Sequence, residues 1–138
     1  MTGTNSGKRQ RIIAPGVAEP PPGLWSNCYV VDKLVIMAGM VGRAKDGAIL
    51  GLGDPYKQSI LAFERMQAFM EAAGGKMSDI IKLNCFLTDI RHREHFVKAR
   101  QQFFQGDFPP CTVIGNVAFA DSNFLVEVDA WAILGSGD

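Results

Sequence analysis

Residues 108–133, FPPCTVIGNVAFADSNFLVEVDAWAI, decide the fold. Two runs rich in β-branched and aromatic residues flank the polar turn Ala120-Asp121-Ser122-Asn123, and this pattern predicts a β-hairpin. Alternation is strict in the second run. Phe124, Val126, Val128, Ala130 and Ala132 point one way, while Leu125, Glu127, Asp129, Trp131 and Ile133 point the other. The first face is apolar and predicts packing on helices. The second sets two carboxylates in a hydrophobic strand, where polar groups must be solvated, paired or functional.

Upstream of this stretch the chain alternates strands and helices. Residues 1–10 read as a flexible polar tail, Lys8, Arg9 and Arg11 form a small basic cluster, and Ile12-Ile13 begin a short strand. Glu19 to Gly23 form a stiff connector, because proline fixes φ and disfavours helix before it. Strands over 26–31 and 34–40 meet at Asp32-Lys33 as a hairpin. A glycine-rich loop follows over 42–53. Its Gly51-Leu52-Gly53 begins like a dinucleotide fingerprint, but Tyr56 stands where the third glycine belongs.

Asp54-Pro55 supplies an N-cap acceptor and a first-turn proline. Tyr56, Ile60, Phe63, Met66 or Gln67, Met70 and Ala73 recur at helical spacing until Gly74-Gly75. A strand over 78–88 turns Ile81, Leu83, Cys85 and Leu87 to one face. A second helix runs from about His92 to Phe104, with Phe96, Ala99, Arg100 and Phe103 on one stripe and Gly106 as terminator. The order β-β-α-β-α-β-β predicts a single α+β domain over residues 11–138, with both helices on one face of a mixed sheet. The other face carries Leu125, Trp131, Ile133 and Ile114, so a homo-oligomer is expected to cover it.

Composition narrows the function classes. The chain has 138 residues, 47% hydrophobic and 20% charged, with 14 basic side chains balancing 14 acidic ones. Zero net charge leaves no electrostatic footprint for nucleic acid or an anionic membrane. The longest apolar stretch, residues 34–42, is too short to span a bilayer, and the polar start lacks a secretory signal. Cys28, Cys85 and Cys111 are odd in number and lack metal-type spacing, which predicts free thiols in a reducing cytoplasm.

Glu127 and Asp129 lie two apart on one strand, with carboxylates roughly 7 Å apart, a spacing open to general acid/base work or to a wet subunit junction. His92 and His95 share a helix face, but HREH is not a zinc pattern and Arg91 and Arg93 flank it. No metal site is expected. Cys111 follows two prolines without a histidine placed to activate it, and reads as a buried thiol. Trp25 either caps a pocket or packs; Arg43 either binds an anion or is a surface arginine.

Several stretches, in order and spacing, resemble the RidA/YjgF family. They are Ala38-Gly39, Glu71-Ala72-Ala73-Gly74, Asp79-Ile80-Ile81-Lys82, Thr88-Asp89-Ile90, Phe103-Phe104, Phe108-Pro109 and Val126-Glu127-Val128-Asp129-Ala130. The resemblance implies a chorismate-mutase-like homotrimer with a barrel-like centre and ligand pockets between subunits. It implies hydrolysis of reactive enamines and imines to the carbonyl compound and ammonia, without metal or organic cofactor. A strand glutamate, matched by Glu127, would position water, and backbone N–H groups near Gly39 and Val113 would receive developing charge.

Other family positions have changed. The substrate-clamping arginine falls on Cys111, the pocket tyrosine on Trp25, the serine before Gly39 on Ala38, and a helix asparagine on Val97. With Val113, these changes predict a more apolar pocket suited to an aromatic or less acidic imine, unless Arg43, Arg91 or Arg100 replaces the lost cation. A non-catalytic trimer binding a small metabolite is the second reading. A ribonuclease or translation inhibitor is the third, and the neutral charge opposes it.

Overall fold

The computed structural model describes residues 6–138. Its strands are β1 Arg9–Arg11, β2 Cys28–Val31, β3 Leu34–Met40, β4 Ile80–Leu87, β5 Cys111–Ile114 and β6 Val126–Ile133. The helices are α1 Pro55–Ala72 and α2 Arg93–Arg100. One sheet holds the strands in the order β1-β2-β3-β6-β4-β5, and both helices cover one face. No helix among the described residues is long and apolar enough to cross a membrane.

The short strand expected at Ile12 is Arg9–Arg11 instead, so pairing begins inside the stretch expected to be tail. Residues 1–5 of that tail lie outside the described residues. Two members of the basic cluster are engaged locally. Arg11 pairs with Glu19 at 2.7 Å, and the Arg9 guanidinium stacks over Tyr29. The β2–β3 hairpin forms as expected, with Val31 opposite Leu34 and Asp32 in the left-handed region at φ 55°.

The C-terminal hairpin does not form. β5 pairs parallel with β4, and β4 lies between β5 and β6. Helix α2 supplies the long crossover that a parallel pair requires. The return to β6 passes over the end of β4, where Val117 N–H donates to Leu87 O at 3.1 Å and Thr88 N–H to Leu125 O at 3.1 Å. A loop spanning a third strand is too long for a hairpin turn. The alternation read in β6 holds. Val126, Val128, Ala130 and Ala132 are fully buried, and Trp131 is 46% exposed.

On β4, Leu83, Cys85 and Leu87 face the helices, but Ile81 is exposed and Ile80 is buried instead. The cause is a bulge. Ile80 stands opposite Ala132 and Lys82 opposite Trp131, so Ile81 is the extra residue.

Helix α1 begins where expected, with Asp54 Oδ1 accepting from Lys57 N–H at 2.9 Å. Its buried stripe includes Phe63, Met66 and Met70 but extends further round, to Phe69, Ala62 and Gln58. Helix α2 ends at Arg100 rather than Phe104. Gln102 and Phe103 N–H groups bond three residues back, to Ala99 and Arg100, which tightens the chain. Adjacent residues cannot share a helix face. The tight turns let both Phe103 and Phe104 reach Phe63, at centroid distances of 5.3 and 5.8 Å. Phe96 stacks on the same ring at 5.7 Å. Each such pair adds about 0.5–1.5 kcal/mol beyond its burial, so this cluster joins the two helices.

Gln58 ties α1 to the approach of β6. Its Nε2 donates to Asn123 O at 2.9 Å and to Gly51 O at 3.3 Å, while its Oε1 accepts from Leu125 N–H at 2.8 Å. A buried amide with both ends paired fixes the chain two residues before Glu127.

Candidate functional site

Glu127 and Asp129 share the sheet face turned away from the helices, and their surroundings differ. Asn84, opposite Asp129 on β4, donates from Nδ2 to Asp129 Oδ1 at 2.8 Å. Glu127 stands opposite Phe86, and no described side chain donates to its carboxylate. Burial pushes the Glu127 carboxyl up, and the Asp129 charge pushes it further.

The neighbouring strand makes room for this side chain. β3 carries a bulge between Met37, opposite Ala130, and Met40, opposite Val128, so Ala38 and Gly39 together face one β6 residue. A Cβ built on Gly39 would overlap Oε1, Cδ and Cγ of Glu127. Glycine is therefore required for close approach rather than for a turn. The bulge also lets Met37 and Met40, three apart, both reach the core. Ala38 N–H is committed to Asn27 O at 2.9 Å, so it is not among the free donors expected near Gly39.

Glu127, Gly39, Ala38 and Trp25 line one cleft of about 730 Å³. Phe119 and Phe124 add apolar wall, and Arg43 and Arg65 add cations. The proline-rich connector forms one rim and is held by buried Asn27. Its Nδ2 donates to Ala18 O and Glu19 Oε2, both at 3.1 Å, and its Oδ1 accepts from Trp25 Nε1 at 3.2 Å. Trp25 and Ala38 also border a second hollow of about 480 Å³ over Tyr29 and Ile36.

Val97, Cys111 and Val113 are not in this cleft. All three pack against the core on the helix side of the sheet, because β5 registers Cys111 with Leu83 and Val113 with Cys85. The Cys111 thiol is raised by burial, which outweighs the opposing pull of Arg100, Lys82 and Arg93. All three cysteines are free, and burial pushes the Cys28 thiol up to about 12. The His92 and His95 rings lie 6.4 Å apart. Among the described residues, no group of three or more His, Cys, Asp or Glu is placed to hold a metal ion.

Of the arginines offered as replacements, only Arg43 enters the Glu127 cleft, its guanidinium 5.0 Å over Phe124. Arg91 is exposed and forked onto Asp89 at 2.6–3.0 Å. Arg100 lies over Phe96 and Phe108 at 5.4 and 5.6 Å, beside Cys111.

The family described as Endoribonuclease L-PSP, which is the RidA/YjgF family, matches residues 17–134. The chain belongs to it. Among RidA/YjgF relatives, the 2-iminobutanoate/2-iminopropanoate deaminase of Dermatophagoides farinae is 30% identical over 125 residues, covering 91% of this chain and 97% of its own. The Homo sapiens protein of the same name is 25% identical, covering 91% of both chains. A Pseudomonas aeruginosa protein of unknown function superposes with a TM-score of 0.83 at 34% identity, covering 94% of both chains.

Arg65 is a charged cleft residue that the sequence pattern did not single out. Gln58, Ala62, Arg65 and Phe69 follow one another at helical spacing, and three of the four are fully buried. An arginine continuing a buried stripe was the available signal.

Proposed function

We propose that this RidA/YjgF protein is a deaminase that hydrolyses an enamine or imine to the carbonyl compound and ammonia. The observation that carries the reading is the half-buried Glu127 carboxylate, without a donor among the described residues, lying over Gly39 in a cleft. Family membership and the deaminase names of the relatives support it. Glu127 takes a proton from water as the water oxygen bonds to the imine carbon and passes it to the imine nitrogen, giving a neutral carbinolamine. It then moves the carbinolamine hydroxyl proton to nitrogen as the C=O bond forms and the C–N bond breaks, so the carbonyl compound and ammonia leave. Trp25, Phe119 and Phe124 favour an apolar or aromatic side chain on the substrate.

The assembly is a homotrimer with a barrel-like centre, closed over the helix-free face. Ile36, Trp131 and Ile114 are exposed there, between 36% and 46%. Roles for Val97, Cys111 and Val113 in substrate binding require a second copy, since in one chain they lie behind the sheet from Glu127. Free cysteines suit a reducing cytosol.

The test uses an imine of phenylpyruvate formed in place from phenylalanine by an added amino-acid oxidase, with dioxygen as the electron acceptor. The protein is expected to speed ammonia release about a hundredfold or more over buffer. Equal rates with buffer across aliphatic and aromatic imines would remove the deaminase reading. Ligand-dependent thermal stabilisation without turnover would then favour a binding role.

Gly39→Ala separates positioning from folding. Gly39 is outside the left-handed region, so alanine is compatible with its backbone, and only the Glu127 side chain is displaced. The expected result is a native-like melting temperature with kcat/KM lowered about tenfold or more. Full activity in this variant would show that the carboxylate does not work from its place over Gly39.

A further inference from the structure

The Glu127 cleft contains a cation, Arg65, that forms no salt bridge among the described residues. Arg65 rises from the middle of α1, and its Nε is buried without a hydrogen-bond partner among the described residues. Its Nη1 donates to Val41 O at 3.4 Å, a long contact. The larger charge effect on it comes from another cation. Burial lowers the Arg65 pKa, Arg43 lowers it further, and Glu19 opposes them. Arginine nonetheless stays charged in proteins.

The anions nearby are otherwise engaged. Glu19 pairs with Arg11 at 2.7 Å and accepts from Asn27. Asp46 Oδ1 accepts from Ala48 N–H at 2.9 Å. Glu127 lines the same cleft, and among the described residues it forms no salt bridge with either arginine. A guanidinium with an unpaired buried N–H, next to a second guanidinium, is a site for a planar anion held by two donors.

We infer that Arg65, with Arg43 beside it, binds the carboxylate of an imino acid whose reactive carbon lies at Glu127. This rests on the deaminase reading for the word imino, but not for the anion. It also revises the substrate expected from Cys111 alone. The cation absent from β5 is supplied from α1 and the loop after β3, so an acidic group and an aromatic side chain are accepted together. Lysine would supply charge without the planar fork.

The test is calorimetric titration of the whole protein with phenylpyruvate and with its uncharged amide, which differ only at the carboxylate. The acid is expected to bind at least tenfold more tightly than the amide, with affinity falling as salt rises. In Arg65→Gln that preference should fall about tenfold, and Arg65→Lys should restore part of it. Where Arg65→Gln fails to fold, Arg43→Gln, a change on an exposed loop, is expected to reduce the same preference. Equal binding of acid and amide, no binding of either, or a preference unchanged in the folded variants would overturn the assignment. Because no turnover enters this measurement, a protein that shows the preference but releases no ammonia would keep the anion site and lose only the deaminase reading.

Discussion

Glu127→Gln is expected to lower kcat/KM for ammonia release by about a hundred- to ten-thousand-fold, the range for removing a positioned general base. The same change is expected to raise the melting temperature at neutral pH. Both results come from one feature, a carboxylate pushed up first by burial and then by Asp129. A raised pKa in the fold means that the protonated form is favoured there. Its stabilising contribution is complete below the unfolded value and is lost as pH rises through the folded one. Glutamine imitates the protonated form, so the variant keeps at neutral pH what the native protein has given up.

Activity in the native protein should fall as pH drops through a midpoint above the ordinary glutamate value, because the base must be ionised to act. Thermal melts of both proteins over an acid-to-neutral series provide the check. A variant that melts lower than native at neutral pH would mean that the carboxylate is held by partners and is not a poised base.

The second large effect concerns assembly. The native protein is expected to run at three chain masses, and Trp131→Lys at one, with an unchanged circular dichroism spectrum. Trp131 stands between Ile36 and Lys82 in one row across the helix-free face, and it is 46% exposed in a single chain. A tryptophan at the centre of an interface commonly carries about 2 kcal/mol or more. Lysine would remove that contact and bring a charge into each of the three seams. Since the side chain faces away from the helices, the change leaves the core of the single chain intact. Light scattering after size exclusion gives the mass directly. A native protein that stays at one chain mass at micromolar concentration would remove the trimer, and with it any role for Cys111 beside Glu127.

Local pattern was sufficient for the elements that depend on neighbouring residues. Asp54-Pro55 starts α1 because an N-cap acceptor and a first-turn proline act within one turn. The alternation of β6 places Glu127 opposite the helix face because pleating depends only on adjacent residues. Both statements need no knowledge of what lies beside the element.

Strand order is different in kind. Runs either side of Ala120–Asn123 look like partners, yet β4 lies between β5 and β6, since pairing is settled by distant strands competing for the same backbone groups. Bulges follow the same logic. Ile81 is turned outward and Ala38-Gly39 are doubled against one residue only because of what stands across the sheet.

The sequence by itself determined the helix starts, the alternating strands, the family resemblance and the position of Glu127 on the face away from the helices. Only the tertiary structure decided that Gly39 is the space beneath that carboxylate, that Cys111 lies behind the sheet, and that Arg65 enters the cleft. The physical reason is range. Dihedral preference and periodicity act over a few residues, whereas the contents of a cleft depend on which remote segments pack together, and spacing along the chain does not record that.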